Sequence, residues 1–190
     1  MRLIRFADCT PAPWKNGAGS TRELWRQEDA DGVLIRLSVA EITGDQPFSG
    51  FPGLDRIILQ LDGPPMTLQV DGQDHPIAAP FAFPGEARVT CRLSAPGPAH
   101  DLNLMLRRTA FRGSMDIRPF AQGAAVSMGG DGAALSAFLA LTPCILSGPC
   151  DMVLAPWDLL LAERPTDLVA RTDGQGVLLA ARIRDPAPPA

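Results

Sequence analysis

Histidine is scarce in this sequence: among 190 residues there are only His75 and His100. Small β-barrels often hold a metal ion, using two or three histidines and a carboxylate at alternate positions of neighbouring strands. Two histidines 25 positions apart, each near a proline in a loop, do not make such a set. They read as solvated loop residues. Neither has a visible orienting partner or a serine at an elbow, so Ser–His–Asp and Cys–His catalysis find no support. The sequence therefore predicts no bound metal and no cofactor.

Other absences narrow the field. No run of about 18 apolar residues exists, so no helical membrane span is expected. The N-terminal stretch MRLIRFADC lacks a long apolar segment before a small-residue cleavage site, which argues against an export signal. A cytoplasmic protein with reduced thiols is expected. The four cysteines, Cys9, Cys91, Cys144 and Cys150, show no CxxC spacing, and Cys91 reads as a small buried hydrophobe. Net charge is −4 and no Lys/Arg cluster is present, so a nucleic-acid partner is not expected. The glycine loop at residues 15–19 (KNGAG) lacks the Lys-Ser/Thr ending of a phosphate loop.

What the chain has in quantity is punctuation. Nineteen prolines and 18 glycines favour many short strands over long helices. Residues 47–63 (PFSGFPGLDRIILQLDG) organise the first half: a Pro/Gly loop, then a strand over 55–61. With the alternating run 66–70 it predicts a hairpin. Further strands are predicted over 3–6, 21–27, 33–42, 87–93, 101–108 and 114–120. A second set covers 136–142, 144–147, 151–154, 159–163, 168–171 and 177–184. Residues 8–14, with two prolines, and 76–85 read as irregular. The stretch 133–141 could also be read as helix. The expected layout is a first domain over 1–120, a Gly-rich linker over 121–132, a smaller second half over 133–185 and a disordered tail over 186–190. Periodicity alone predicts an all-β protein of antiparallel strands with few helices, as a sandwich or small barrel repeated.

Candidate chemistry lies on the first set of strands. Arg36 shares a strand face with Ser38 and Ala40, and Asp101 and Asn103 share a face of theirs. Asparagine is disfavoured in strands, yet Asn103 sits mid-strand between leucines. An Arg fork with an Asn amide suits a small carboxylate or amide ligand, and Glu23 or Asp101 would complement an amine or amidine on it. Arg36, Asn103 and Asp101 are expected in one pocket, with Lys15, Asn16 and Arg22 near its mouth and Arg56 as a further candidate. Against this stands the plain reading that each charged residue is solvent-facing or ion-paired, strongest for Arg22, Arg107 and Arg108.

Several motifs in order resemble one family. PWKNGAGSTREL (13–24), VAEI (39–42), PFSGFPGLDRIILQLDG (47–63), FPGE (83–86) and DLNLMLRR (101–108) are similar to the HutD/Ves family. The likeness is strong over about residues 10–110 and general in character beyond 115. Leu102 stands where the family commonly has Phe, a change on the packing side of the strand. The resemblance implies two cupin-type β-barrels in tandem (a bicupin) in a bacterial cytoplasmic protein without a metal-binding His set. It implies a regulatory or ligand-binding role, with formiminoglutamate or urocanate from histidine breakdown as the suggested ligand. The Ves branch is linked instead to environmental or stress response. Three readings stay open: a binder of a small anionic ligand, a metal-independent cupin-type isomerase or hydrolase with Glu23 or Asp101 as general base, and a scaffold that forms a homodimer through its first barrel.

Overall fold

The computed structural model describes residues 1–14, 17–129, 133–148 and 150–184. Among them there is no α-helix, only a 3-10 turn at Phe6–Asp8. In chain order the strands are β1 (Arg2–Ile4), β2 (Pro11–Pro13), β3 (Gly19–Asp29), β4 (Gly32–Ile42), β5 (Gln46–Pro47), β6 (Leu54–Asp62), β7 (Met66–Val70), β8 (Gln73–Pro76), β9 (Phe81–Pro84), β10 (Val89–Leu93), β11 (Ala99–Arg107), β12 (Phe111–Phe120), β13 (Ala125–Met128), β14 (Ala133–Ala140), β15 (Cys144–Ser147), β16 (Asp151–Leu154), β17 (Leu159–Ala162), β18 (Thr166–Ala170) and β19 (Gly174–Ile183). No helix is long and apolar enough to cross a membrane.

The chain forms two compact units. The first, Cys9–Arg108, has a six-stranded sheet in the order β2-β3-β4-β11-β6-β9 and a four-stranded sheet in the order β5-β10-β7-β8. Met66, Leu68, Val89 and Cys91 point inward from the small sheet and Ile42, Ile58 and Phe83 from the large one, closing one apolar core. β7 and β10 alternate inward apolar and outward polar residues, the pattern of a sheet wetted on one side. β11, central in the large sheet, is buried along almost its whole length, and β4 beside it is buried mainly over Leu37–Ala40.

The second unit joins Met1–Asp8 to Thr109–Ala190. Its sheets are β1-β17-β14-β19-β12 and β13-β18-β15-β16. Its apolar core includes Met128, Phe138, Leu146, Leu160 and Leu168. The division falls at Arg108/Thr109, not within 121–132. Phe111–Phe120 pairs with Gly174–Ile183 along its full length, which binds it to the second unit. Part of the presumed linker is strand β13, paired with β18.

Local expectations fail where proline or a sheet switch intervenes. The predicted hairpin of 55–61 with 66–70 does not form: β6 pairs with β11 and β9, whereas β7 pairs with β10 and β8. The chain changes sheets at Gly63–Pro65, and the Gln60 side chain fills the gap. Its Nε2 donates to the Pro64 carbonyl (2.7 Å) and its Oε1 accepts from Met66 N (2.9 Å). The Pro-rich 8–14 segment contains edge strand β2, and the loop over 76–85 contains edge strand β9. Edges tolerate proline because its missing N–H faces no partner. The stretch 133–141 is strand. Both histidines lie in strands: His75 pairs opposite Leu68 and stacks on Phe81 at 4.5 Å, and His100 is the second residue of β11. The predicted tail 186–190 lies outside the described residues.

Candidate functional site

Strand register assembles the site in the first unit. Arg36 on β4, Met105 on β11 and Arg56 on β6 are side by side, with Phe83 of β9 next to Arg56. Two residues along, Ser38 and Asn103 are paired, and two further Ala40, Asp101 and Gln60. Period-two alternation sends Arg36, Ser38 and Ala40 and likewise Asp101, Asn103 and Met105 to one face. That face borders a cavity of about 270 Å³, lined also by Trp14, Thr21, Pro47, Phe48, Ser49, Phe51 and Arg56.

Arg56 is 4% exposed. Its guanidinium carbon lies 5.3, 5.4 and 5.0 Å from the ring centroids of Phe48, Phe51 and Phe83. Aromatic faces stabilise a cation at such distances. Burial nonetheless brings its pKa down to about 10, against the pull of Asp101 and with a further push from Arg36. It stays a cation at neutral pH. The loop that carries Phe48 and Phe51 is clamped by Gly85, just after β9: Phe51 N donates to Gly85 O and Gly85 N to Leu54 O, both at 2.7 Å. A Cβ at Gly85 would lie 2.3 Å from the Phe51 carbonyl oxygen, so only glycine permits this approach.

Asp101 is 1% exposed and Asn103 5%. Neither Asp101 oxygen, nor Asn103 Oδ1, nor Arg56 Nε has a hydrogen-bond partner. Burial pushes the Asp101 carboxyl up to about 7, although Arg56 and then His100 pull it down. Buried polar atoms are nearly always bonded, so four orphans around one cavity mark a place built to receive polar groups.

The structure thus brings Arg36, Arg56, Asp101 and Asn103 to one cavity. Glu23 is not in its lining; it accepts from Arg36 Nε at 2.7 Å and orients that guanidinium. Arg22 is on the opposite face from Thr21, and its Nη1 donates to the Cys9 carbonyl. Lys15 and Asn16 lie outside the described residues. Arg107 is held bidentately by Asp29, and Arg108 by Glu86 and Asp55. Sequence reasoning missed the aromatic wall of Phe48, Phe51 and Phe83. The signal was in the Pro/Gly-spaced phenylalanines of 47–53 and 81–84, whose clustering depends on sheet order. Among the described residues no group of three His, Cys, Asp or Glu could hold a metal. Cys91 is no nucleophile: burial, with Asp101 and Asp45, raises its thiol to about 12.

Two β units, each of two sheets, one of them with a cavity, make a cupin-type fold. The fold matches a cupin barrel protein from Leptotrichia buccalis with a TM-score of 0.63 at 8% identity, over 96% of each chain. The family model HutD matches residues 6–180, and the chain belongs to the HutD family. It is 42% identical over 117 residues to an uncharacterised 21.2 kDa protein from Pseudomonas putida, and 39% identical over 99 residues to protein Ves from Citrobacter koseri. These matches cover 59% and 50% of this chain, and the chain spans 61% and 52% of those relatives. A conserved protein of unknown function from Pseudomonas aeruginosa PAO1 has a TM-score of 0.82 at 31% identity. HutD from Pseudomonas fluorescens SBW25 has one of 0.81 at 28% identity. Each of these two comparisons covers 97% of this chain and 99% of the other.

Proposed function

We propose that this is a cytoplasmic regulatory protein that binds a small anionic ligand in the cavity of the Cys9–Arg108 unit. The observation that carries the reading is Arg56: a buried cation whose Nε has no partner and which shares the cavity with Arg36. Such a cation calls for an anion, and a guanidinium fork fits a carboxylate. Formiminoglutamate and urocanate are the ligands that the family tie suggests. The name of the P. putida relative, which places it in the hutC 3' region, supports that choice. Neither nucleic acid nor membrane is required, and size-exclusion chromatography reads whether the protein is a homodimer.

Titration calorimetry with formiminoglutamate, urocanate and histidine tests the reading. A charge-assisted hydrogen bond contributes roughly 1.5–3 kcal/mol. Arg36→Ala and Arg56→Ala should therefore weaken binding more than Asn103→Ala. If none of the three compounds binds, or both arginine variants keep full affinity, the reading fails. A second reading, a metal-independent enzyme with a carboxylate base, draws on Asp101, whose pKa near neutrality suits proton transfer. Glu23 is already committed to Arg36. Conversion of either acid, followed by NMR in the presence of the protein, would favour this second reading.

A further inference from the structure

The second unit carries a recess of its own, about 380 Å³, where β12 begins and β19 ends. Strand register places its residues. Arg112 is directly opposite Arg182, and Ser114 is opposite Ala180. Period-two alternation puts these four on one sheet face, in line with Leu178, which packs on the apolar core. The row on β19 thus runs from Leu178 through Ala180 to Arg182. Ser114 and Ala180 are short, so the sheet is hollow between that core and the two arginines. Arg184 also lines the recess, held there by its Nε, which donates to the Phe111 carbonyl at 3.0 Å.

Charge does not balance in this recess. Directly opposed residues on antiparallel strands have Cβ atoms roughly 4.5–5.5 Å apart, and like charges so placed repel. No acidic residue lines the recess. Among the described residues neither the Arg112 nor the Arg182 guanidinium has a hydrogen-bond or ion-pair partner. Asp116, the acid of β12, is opposite Leu178 and outside the lining. Elsewhere the chain gives its arginines acids: Arg36 has Glu23, Arg92 has Asp74, Arg107 has Asp29 and Arg108 has Glu86. Three arginines gathered without one form a local positive field that draws an anion from solution.

The donors fix the kind of anion. One guanidinium fork satisfies the two oxygens of a carboxylate. Two forks from neighbouring strands offer donors from two sides, which suits a tetrahedral group whose oxygens do not share a plane. We propose that the recess binds a phosphate group, held by Arg112 and Arg182, with Arg184 at its side and the Ser114 hydroxyl as a further donor. The site is separate from the cavity of the Cys9–Arg108 unit and does not depend on what that cavity binds.

The test is calorimetry on the full chain at low ionic strength with inorganic phosphate, glycerol phosphate and acetate. Inorganic phosphate should bind at least about tenfold more tightly than acetate. Glycerol phosphate should bind as well, and a tighter fit for it would name a phosphate monoester as the ligand. Arg112→Gln and Arg182→Gln should each weaken phosphate at least about tenfold, the loss of a charge-assisted contact. Phosphate should also raise the melting temperature of wild type, and sodium chloride at matched ionic strength should not. Phosphate bound no better than acetate, or a thermal shift that chloride reproduces, would overturn the inference. So would an affinity that both glutamine variants keep, because the phosphate would then sit elsewhere, as in the cavity of Arg36 and Arg56. Arg112 and Arg182 are exposed, so neither change disturbs the core. The comparison of phosphate with acetate and chloride is read on wild type and decides the first point without them. None of these outcomes bears on formiminoglutamate binding, which is read separately.

Discussion

Asp101 makes the free protein less stable than its shape requires. In the unfolded chain it ionises near the usual 3.8; in the folded cavity it does so at about 7. Its contribution to stability is therefore fully present below the ordinary carboxylate range and is lost as pH rises through about 7. Asparagine has nearly the same shape and cannot ionise. Asp101→Asn should stabilise the ligand-free protein by a few kcal/mol at most at about pH 8, with a gain that shrinks towards about pH 4. Urea denaturation at both pH values measures it, and a loss of stability at the higher pH would contradict the account. The same residue shows how sites and stability oppose each other: the unbonded oxygens that lower stability are the ones free to meet a ligand.

At the scale of elements, the loop that walls the cavity depends on β9. The Phe51 and Leu54 carbonyls both crowd the position where a Gly85 side chain would be, at 2.3 and 2.7 Å from its Cβ. Backbone cannot yield as a side-chain tip can. Gly85→Ala should push the Phe51 turn outward, cost about 1–3 kcal/mol in a thermal melt and lower formiminoglutamate affinity severalfold. Unchanged affinity would show that the aromatic wall is dispensable. The strands themselves were legible in the sequence: 66–70, 144–147 and 151–154 match β7, β15 and β16 to the residue. Their alternation is set locally, by one buried face. So was the shared face of Arg36, Ser38 and Ala40. Sheet order was not legible. Asp62-Gly63 looks like a hairpin turn by its own chemistry, but the Gln60 side chain and two prolines carry the chain across to the other sheet. Proline-bearing edges β2 and β9 escaped for a related reason. Proline lowers strand propensity everywhere, and only the finished sheet shows which positions have no partner.

At the scale of the molecule, the two units differ in how tightly their interiors are filled. In the second, Phe138 is fully buried within the core and presses so close to Gly176 that a Cβ there would meet its ring at 2.1 Å. The unit Cys9–Arg108 holds the cavity of Arg36, Arg56, Asp101 and Asn103. The second unit also borrows its edge: β1 pairs with β17, although residues 9–108 separate β1 from the rest of that unit in the chain. Asp158, 2% exposed, fastens this segment. It accepts from Arg5 Nη1 (2.6 Å), Phe6 N (2.9 Å) and Ala155 N (3.0 Å), and Phe6 packs edge-on against Trp157 at 5.0 Å. Asp158→Ala would orphan two amides, at about 1–3 kcal/mol for each one left buried. The loss should be regional. Hydrogen exchange should speed up in Arg2–Ile4 and Leu159–Ala162 first, because β1 pairs with β17 over three residues and loses the Asp158 anchor that follows it. Formiminoglutamate affinity should stay at the wild-type value, since no cavity residue belongs to this unit. If the substitution instead abolished binding while exchange in β1 stayed slow, the assignment of the N-terminal strand as a structural clasp would be wrong.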